Sequence, residues 1–159
     1  MKIVTQRQGS APETHTLMRE EIKIPDVPFK GMIDPSGGVG YLKLNSFTQT
    51  ASQEVRNAVK ELKDQGATKI VLDLRGNGGG LLREAVNIVN LFVPKNQLVV
   101  ETKGKIPEWD KTYKTLSEPL DAEIPLVILV DGQSASASEI VSGAFQLSLI
   151  HISEPTRPY

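Results

Sequence analysis

Three serines in this sequence could supply a nucleophile, and they stand where a strand pattern gives way to a helix pattern. Ser134, Ser136 and Ser138 occur in the stretch DGQSASASEIV, directly after five consecutive apolar residues at 126–130. A serine at the start of a helix lies beside backbone N–H groups that have no partner within the helix. Such groups can stabilise the oxyanion that forms when the hydroxyl attacks a carbonyl carbon. The same serines could instead only cap the helix and fill a small-residue turn, so residue types alone leave both interpretations open.

A second candidate site is the glycine-rich stretch RGNGGG at residues 75–80. Three consecutive glycines adopt conformations closed to other residues and leave backbone N–H groups uncovered, so this loop could bind an anion. A nucleotide loop does not fit, because Leu81 stands where the dinucleotide fingerprint needs its third glycine and no Lys-Ser or Lys-Thr follows. A purely structural turn stays open. Asp73, late in the preceding strand pattern, is a third candidate, and a lone acid there is better explained as a hydrogen-bonded structural group.

Strand and helix patterns alternate around both loops. Apolar runs and apolar residues at helical spacing predict strands at 39–44, 68–74, 98–102 and 126–130, and helices from 51, after 80 and from 139. This alternation predicts a largely parallel α/β sheet with right-handed crossovers, in which both candidate loops leave the carboxyl ends of strands and meet over the sheet. The unbroken run at 126–130 predicts a strand covered on both faces. The polar stretch 103–123 is predicted to be a long surface connection.

Residues 1–24 are predicted to form a separate unit. Stretches 2–8 and 15–24 have strand composition and flank turn residues, which predicts a hairpin. Because two strands alone are marginal in water, we expect this hairpin to belong to a sheet whose other strands are missing here. Residues 25–37, punctuated by Pro25, are predicted to be a linker.

Composition excludes several classes of function. The net charge is −1, with 18 basic and 19 acidic side chains interspersed, so there is no broad electrostatic case for a nucleic-acid partner. The absence of cysteine excludes a thiol nucleophile, a disulfide framework and thiolate metal sites. No apolar run approaches the length of a membrane span, and the first ten residues do not form a signal peptide. We predict neither a cofactor nor a metal ion.

Three stretches together resemble the C-terminal processing, or tail-specific, serine peptidases. They are GVGYLKLNSF at 38–47, IVLDLRGNGGGLLREAVNIVNLFV at 70–93 and LVILVDGQSASASEIVSGAFQ at 126–146. The resemblance implies a partial protease core of the ClpP/crotonase type over 38–146. It also implies a preceding PDZ domain that captures substrate C-termini, of which residues 1–24 would be the last strands.

The resemblance further implies roles for individual residues. It makes Ser136 the nucleophile and places the oxyanion between the backbone N–H groups of Ala137 and Gly80. The family uses a lysine downstream of the serine as general base, which must be partly neutral to accept a proton. Here Leu147 takes the position of a supporting aspartate, and no lysine follows Lys114. The 159-residue chain is therefore expected to be inactive as written.

Residues 147–159 depart from the family pattern. Their sequence, LSLIHISEPTRPY, resembles a translated sequencing adapter, so we predict that this tail is not native and exclude it from the functional interpretation. His151 could stand in for the lysine as base, but a lone histidine in an unpatterned tail is better explained as incidental.

The resemblance thus implies that the chain is part of a secreted or periplasmic serine endopeptidase that acts on protein or peptide substrates through their C-termini. Two alternatives stay open. One is a non-catalytic ligand-binding module of the same fold, since function does not follow from fold. The other is a crotonase-like acyl-thioester enzyme, which would also use paired N–H groups for an oxyanion but needs no serine at position 136.

Overall fold

A computed structural model of the chain describes residues 1–18, 20, 22 and 24–147. Strands and helices alternate through most of its length. In chain order the elements are β1 (Lys2–Thr5), β2 (Glu13–Thr16), β3 (Phe29–Asp34), β4 (Val39–Lys43), α1 (Ala51–Asp64), β5 (Lys69–Asp73), α2 (Leu82–Val89), β6 (Leu98–Thr102), a 3-10 turn (Pro107–Trp109), β7 (Lys111–Lys114), β8 (Leu126–Leu129) and α3 (Ala137–Leu147).

The central sheet has the strand order β3-β4-β5-β8. Strands β4, β5 and β8 run parallel, with Val71 opposite both Tyr41 and Val127, while β3 runs antiparallel to β4. The predicted, largely parallel α/β sheet is confirmed. Because the three parallel strands lead into α1, α2 and α3 respectively, the loops between strand and helix gather at one edge of the sheet.

One face of this sheet and the helices enclose the core. Leu42, Ile70 and Leu72 are almost fully buried along β4 and β5, whereas Tyr41 and Val71 next to them are half-buried. Val55 and Leu62, on the apolar side of α1, are buried with them, as their helical spacing predicts. Burial of each such side chain contributes about 1.5–3 kcal/mol. This core fixes the strands whose ends carry the candidate loops.

The predicted linker over 25–37 is wrong for residues 29–34, which form β3 and pair with β4 along the edge of the central sheet. Its sequence, FKGMID, contains a glycine and two charged residues and has no clear alternation. The strand is formed because β4 offers it a complementary backbone edge, and this information lies outside the segment itself.

Two further expectations need correction. The stretch 103–123 is not only a surface connection, because it contains β7, which pairs with β6 in a separate two-stranded sheet. The strand at 126–130 is not covered on both faces, since Val127 and Val130 are 55% and 47% exposed. Strand β8 lies at the edge of the described sheet, and Leu126 and Ile128 pack against the core while Val127 between them is exposed.

The N-terminal hairpin forms a sheet of its own, in which β1 and β2 pair antiparallel. Apolar side chains on and around it are open to solvent, among them Val4, Leu17 and Ile22, with exposed fractions of 63%, 46% and 82%. The hairpin is confirmed, although β1 is shorter than the predicted 2–8 and β2 begins two residues before the predicted 15–24 and ends at Thr16. That it belongs to a PDZ domain stays a prediction. The predictions for His151 and for all but the first residue of the tail 147–159 lie outside the described residues.

Candidate active site

Ser136 directly precedes α3 and has an unusual backbone conformation. Its φ angle is +55°, one of two positive values found for non-glycine residues in the described chain. The left-handed region costs a non-glycine residue about 1–2 kcal/mol, and such strain is concentrated at functional sites. The conformation is held from both sides, because the Ser136 N–H donates to the Glu139 carboxylate at 2.7 Å and its carbonyl accepts the Ile140 N–H at 3.0 Å.

The three serines of the motif differ in what their hydroxyl groups do. Ser134 Oγ donates to the Leu74 carbonyl at 2.8 Å, and the fully buried Ser138 donates to the Asn77 carbonyl at 2.9 Å. Ser136 is exposed, and its Oγ makes no hydrogen bond to any residue that the structure describes. Two of the hydroxyls therefore join the loops together, and the third is left available for chemistry.

The glycine-rich loop packs directly against Ser136. A Cβ added to Gly79 would lie 2.8 Å from Ser136 Cβ and 3.0 Å from Ala137 N, and Gly79 has a φ angle of +101°. The following residue, Gly80, has a φ angle of +148°, and a Cβ there would lie 2.5 Å from the Phe47 carbonyl oxygen. Only glycine meets both the conformation and the spacing at these two positions. The structure thus brings the two predicted site segments together at one edge of the sheet.

Two backbone N–H groups at this contact have no hydrogen-bond acceptor among the described residues. Neither Gly80 N–H nor Ala137 N–H donates to an acceptor within the described part of the chain. The N–H of Gly79, by contrast, donates to Asn77 Oδ1 at 2.8 Å, and its carbonyl accepts the Phe47 N–H at 3.2 Å. Unpaired N–H groups beside an accessible hydroxyl are an arrangement suited to oxyanion stabilisation.

Asp131 connects the two loops on the side of Ser134. Its Oδ1 accepts the N–H groups of Gly76, Gln133 and Ser134 at 3.0–3.1 Å. The hydrogen bond from Gly76, followed by those within the turn, holds the pKa of Asp131 below its usual value. The carboxylate therefore keeps the start of the glycine-rich loop in register with the turn that precedes the serines.

Asp73 is a satisfied structural group, as its position late in a buried strand suggested. Its carboxylate is fully buried and accepts hydrogen bonds from the Arg75 guanidinium at 2.7–3.2 Å and from the Tyr41 hydroxyl at 2.6 Å. The guanidinium holds the pKa of Asp73 well below its usual range, although burial acts in the opposite direction. Asp73 thus stays ionised and fixes the residues that begin the glycine-rich loop.

Two residues at the site have roles that the sequence analysis did not assign. Glu139 pairs with the Ser136 N–H, and the spacing Ser-x-x-Glu at a helix start is the signal that could have identified it. Asn77 is a fully buried residue of the glycine-rich loop. No sequence signal distinguishes its role from that of an ordinary turn asparagine. Among the described residues, no group of three or more His, Asp or Glu side chains is placed to hold a metal ion.

The family model for "Peptidase family S41" matches residues 38–152, which include the three parallel strands of the central sheet, both loops and α3. The chain belongs to peptidase family S41. The resemblance to C-terminal processing peptidases is therefore confirmed. The match extends six residues past Gln146, into the tail 147–159 that the sequence analysis predicted to be non-native.

Curated relatives of this S41 chain are named as proteases. It is 40% identical over 145 residues to a "Probable CtpA-like serine protease" of Staphylococcus aureus strain N315, an alignment that covers 90% of this chain and 28% of the relative. A protein of the same name from Staphylococcus saprophyticus is 37% identical over 144 residues. The chain thus spans somewhat more than a quarter of the length of these relatives.

Solved structures show the same fold. The "Photosystem II D1 C-terminal processing protease" matches with a TM-score of 0.67 and 29% identity, over 88% of this chain and 38% of that protein. A putative S41 protease from Bacteroides fragilis NCTC 9343 matches with a TM-score of 0.66 and 22% identity, over 91% of this chain and 43% of that one. This likeness establishes a mixed α/β fold of the S41 protease type. No helix in the described residues has the length and apolar character needed to cross a membrane.

Proposed function

We propose that this chain is part of a serine endopeptidase that cleaves protein substrates near their C-termini, with Ser136 as the nucleophile. The observation that carries the proposal is the free Ser136 hydroxyl at a strained helix start, with Gly79 packed against it. Family membership supports the reaction class. The name of the D1 C-terminal processing protease, a structural neighbour of this chain, supports the choice of substrate C-termini.

We assign the oxyanion to the N–H groups of Gly80 and Ala137. Both are unpaired within the described residues, whereas the Gly79 N–H already has an acceptor, which favours Gly80 over its neighbour. Ser136 Oγ would attack the carbonyl carbon of the scissile peptide, and the two N–H groups would stabilise the oxygen as it becomes negative. Each such donor is worth about 10²–10³-fold in rate.

The proton of the Ser136 hydroxyl needs an acceptor. We propose that this acceptor is a lysine, in a region of the S41 relatives that these 159 residues do not match. Lys114 is the last lysine of the sequence, and no described side chain bonds to Ser136 Oγ. The base would take the hydroxyl proton and give it to the leaving amine, which leaves an acyl group on Ser136 for water to hydrolyse. Without that base, the 159-residue polypeptide would be inactive.

We further propose that residues 1–24 end a PDZ domain and that the protease core is of the ClpP/crotonase type. The separate sheet formed by β1 and β2, with its exposed apolar side chains, supports a different parent domain for the hairpin. Partners would be proteins or peptides with free C-termini and not nucleic acid, in an extracytoplasmic compartment.

Purified 1–159, and a version continued through the natural downstream sequence, would be incubated with an unstructured peptide. Only the longer form should show turnover, and Ser136→Ala should abolish it. Ser142→Ala is the matched control, because Ser142 lies on α3 and its hydroxyl donates only to backbone carbonyls of that helix. Ser136-dependent turnover by 1–159 would mean that a base exists within these residues. Turnover by the longer form that survives Ser136→Ala would overturn the nucleophile assignment.

A further inference from the structure

Asn77 is fully buried inside the glycine-rich loop, and both ends of its side-chain amide are in use. The Nδ2 group donates to the Leu44 carbonyl at 2.8 Å, and Oδ1 accepts the Gly79 N–H at 2.8 Å. Burial of an amide without such partners would cost free energy. The side chain therefore ties the end of β4 to the glycine that packs against Ser136.

The backbone of the same residue contacts the other loop. The Asn77 carbonyl accepts the Ala135 N–H at 3.1 Å and the Ser138 hydroxyl at 2.9 Å. These two donors flank Ser136 and Ala137 in sequence. One residue thus holds the glycine-rich loop and the start of α3 in a fixed relation to each other.

Consecutive glycines have no steric preference that would fix their peptide planes, so hydrogen bonds must orient the Gly80 N–H. The Gly79 carbonyl lies in the same peptide plane as that N–H and accepts the Phe47 N–H at 3.2 Å, while the hydrogen bond from the Gly79 N–H to Asn77 Oδ1 at 2.8 Å fixes the preceding peptide plane. We propose that Asn77 is a positioning residue, which aligns the Gly80 and Ala137 N–H groups on one oxyanion. This inference rests on the proposed function of Ser136.

Removal of the restraint should reduce catalysis without weakening substrate binding, because the oxyanion forms only in the transition state. Asn77→Ala leaves the Gly79 N–H and the Leu44 carbonyl without partners. We expect kcat to fall by about 10²-fold, the size of a 1 Å misplacement or of one lost oxyanion donor, while KM stays nearly unchanged.

Asn90 provides a matched control. It is also a buried asparagine with both ends of its amide in use, since Oδ1 accepts the N–H groups of Leu116 and Ser117 and Nδ2 donates to the Ser117 carbonyl. It follows the end of α2, and its side-chain hydrogen bonds go to Leu116 and Ser117 and not to either candidate loop. Asn90→Ala should therefore destabilise the fold in the same way and leave kcat of the folded protein unchanged.

The experiment uses the form of the protein that turns over peptide, with kcat, KM, thermal unfolding and the affinity of a peptide aldehyde measured for each variant. The hemiacetal of the aldehyde with Ser136 presents the oxyanion, so its affinity should fall together with kcat in Asn77→Ala and not in Asn90→Ala. An unchanged kcat in Asn77→Ala, or an equal loss in Asn90→Ala, would overturn the positioning role.

A second pair of variants applies if Asn77→Ala does not fold. Asn77→Asp and Asn90→Asp each place a carboxylate oxygen against the carbonyl that the amide bonded, that of Leu44 or Ser117, so the side chain must move away from it. Only in Asn77→Asp does this displace the acceptor of the Gly79 N–H, so only that variant should lower kcat. Equal kcat values for the two would refute the proposal. If Ser136→Ala abolishes activity but the asparagine variants do not differ, the proposed function is supported and only the positioning role of Asn77 is refuted.

Discussion

Gly79 has a conformation and a spacing that only glycine meets. At a φ angle of +101°, an alanine would be strained by about 1–2 kcal/mol. Its Cβ would also lie 2.7 Å from the Ala135 carbonyl oxygen and 2.8 Å from Ser136 Cβ, so the two loops would have to separate. Overpacking of this kind costs about 1–3 kcal/mol more. Gly79→Ala should therefore lower the free energy of unfolding by about 2–5 kcal/mol in total.

For a domain of this size, such a loss corresponds to a decrease in Tm of about 4–20 °C. The shift between the loops would also displace Ser136 from the Gly80 N–H, and a misplacement of about 1 Å can cost about 10²-fold in rate. We expect kcat/KM of the catalytically competent form to fall by roughly that factor, measured with a peptide substrate at a temperature where the variant remains folded.

Gly78→Ala is the control for this substitution. It lies one residue earlier in the same loop, has no positive φ angle, and a Cβ there would meet no atom within 4 Å. Its Tm and kcat/KM should stay close to the wild-type values. If Gly79→Ala behaves like Gly78→Ala in both measurements, the close contact between the glycine-rich loop and Ser136 is wrong.

Three other predictions concern stability. Because the pKa of Asp73 is lowered in the folded state, ionised Asp73 stabilises the fold fully above the unfolded pKa of about 3.9, and this stabilisation is lost as the pH falls below that value. The free energy of unfolding, measured with urea at about pH 2–4, should therefore depend less steeply on pH in Asp73→Asn than in the wild type. Equal slopes would contradict this. Glu139→Ala should lower Tm by about 2–4 °C through loss of the acceptor for the Ser136 N–H, with Glu139→Gln nearer to wild type, so a similar loss in both would argue against the capping role. Deletion of residues 1–24 should change the Tm of the central sheet and helices by less than about 2–4 °C, because the hairpin forms its own sheet; a larger decrease would show that the two regions fold together.

Local sequence patterns determined most of the secondary structure and the position of both candidate loops. Helix α1 follows from the spacing of its apolar residues, and β5 and β8 follow from unbroken apolar runs, since these features act within a few residues along the chain. The glycine run also predicted backbone conformations closed to other residues, and Gly79 and Gly80 have such conformations, with φ angles of +101° and +148°.

Tertiary structure alone decided which serine hydroxyl is left free. Ser134, Ser136 and Ser138 have the same chemistry and nearly the same neighbours in sequence, but two of them reach carbonyl groups about sixty residues away in the chain. The strand β3, the exposed face of β8 and the contacts of Asn77 were likewise beyond local patterns. Each depends on a partner that is distant in sequence, and only the folded chain brings those partners within hydrogen-bonding or packing distance.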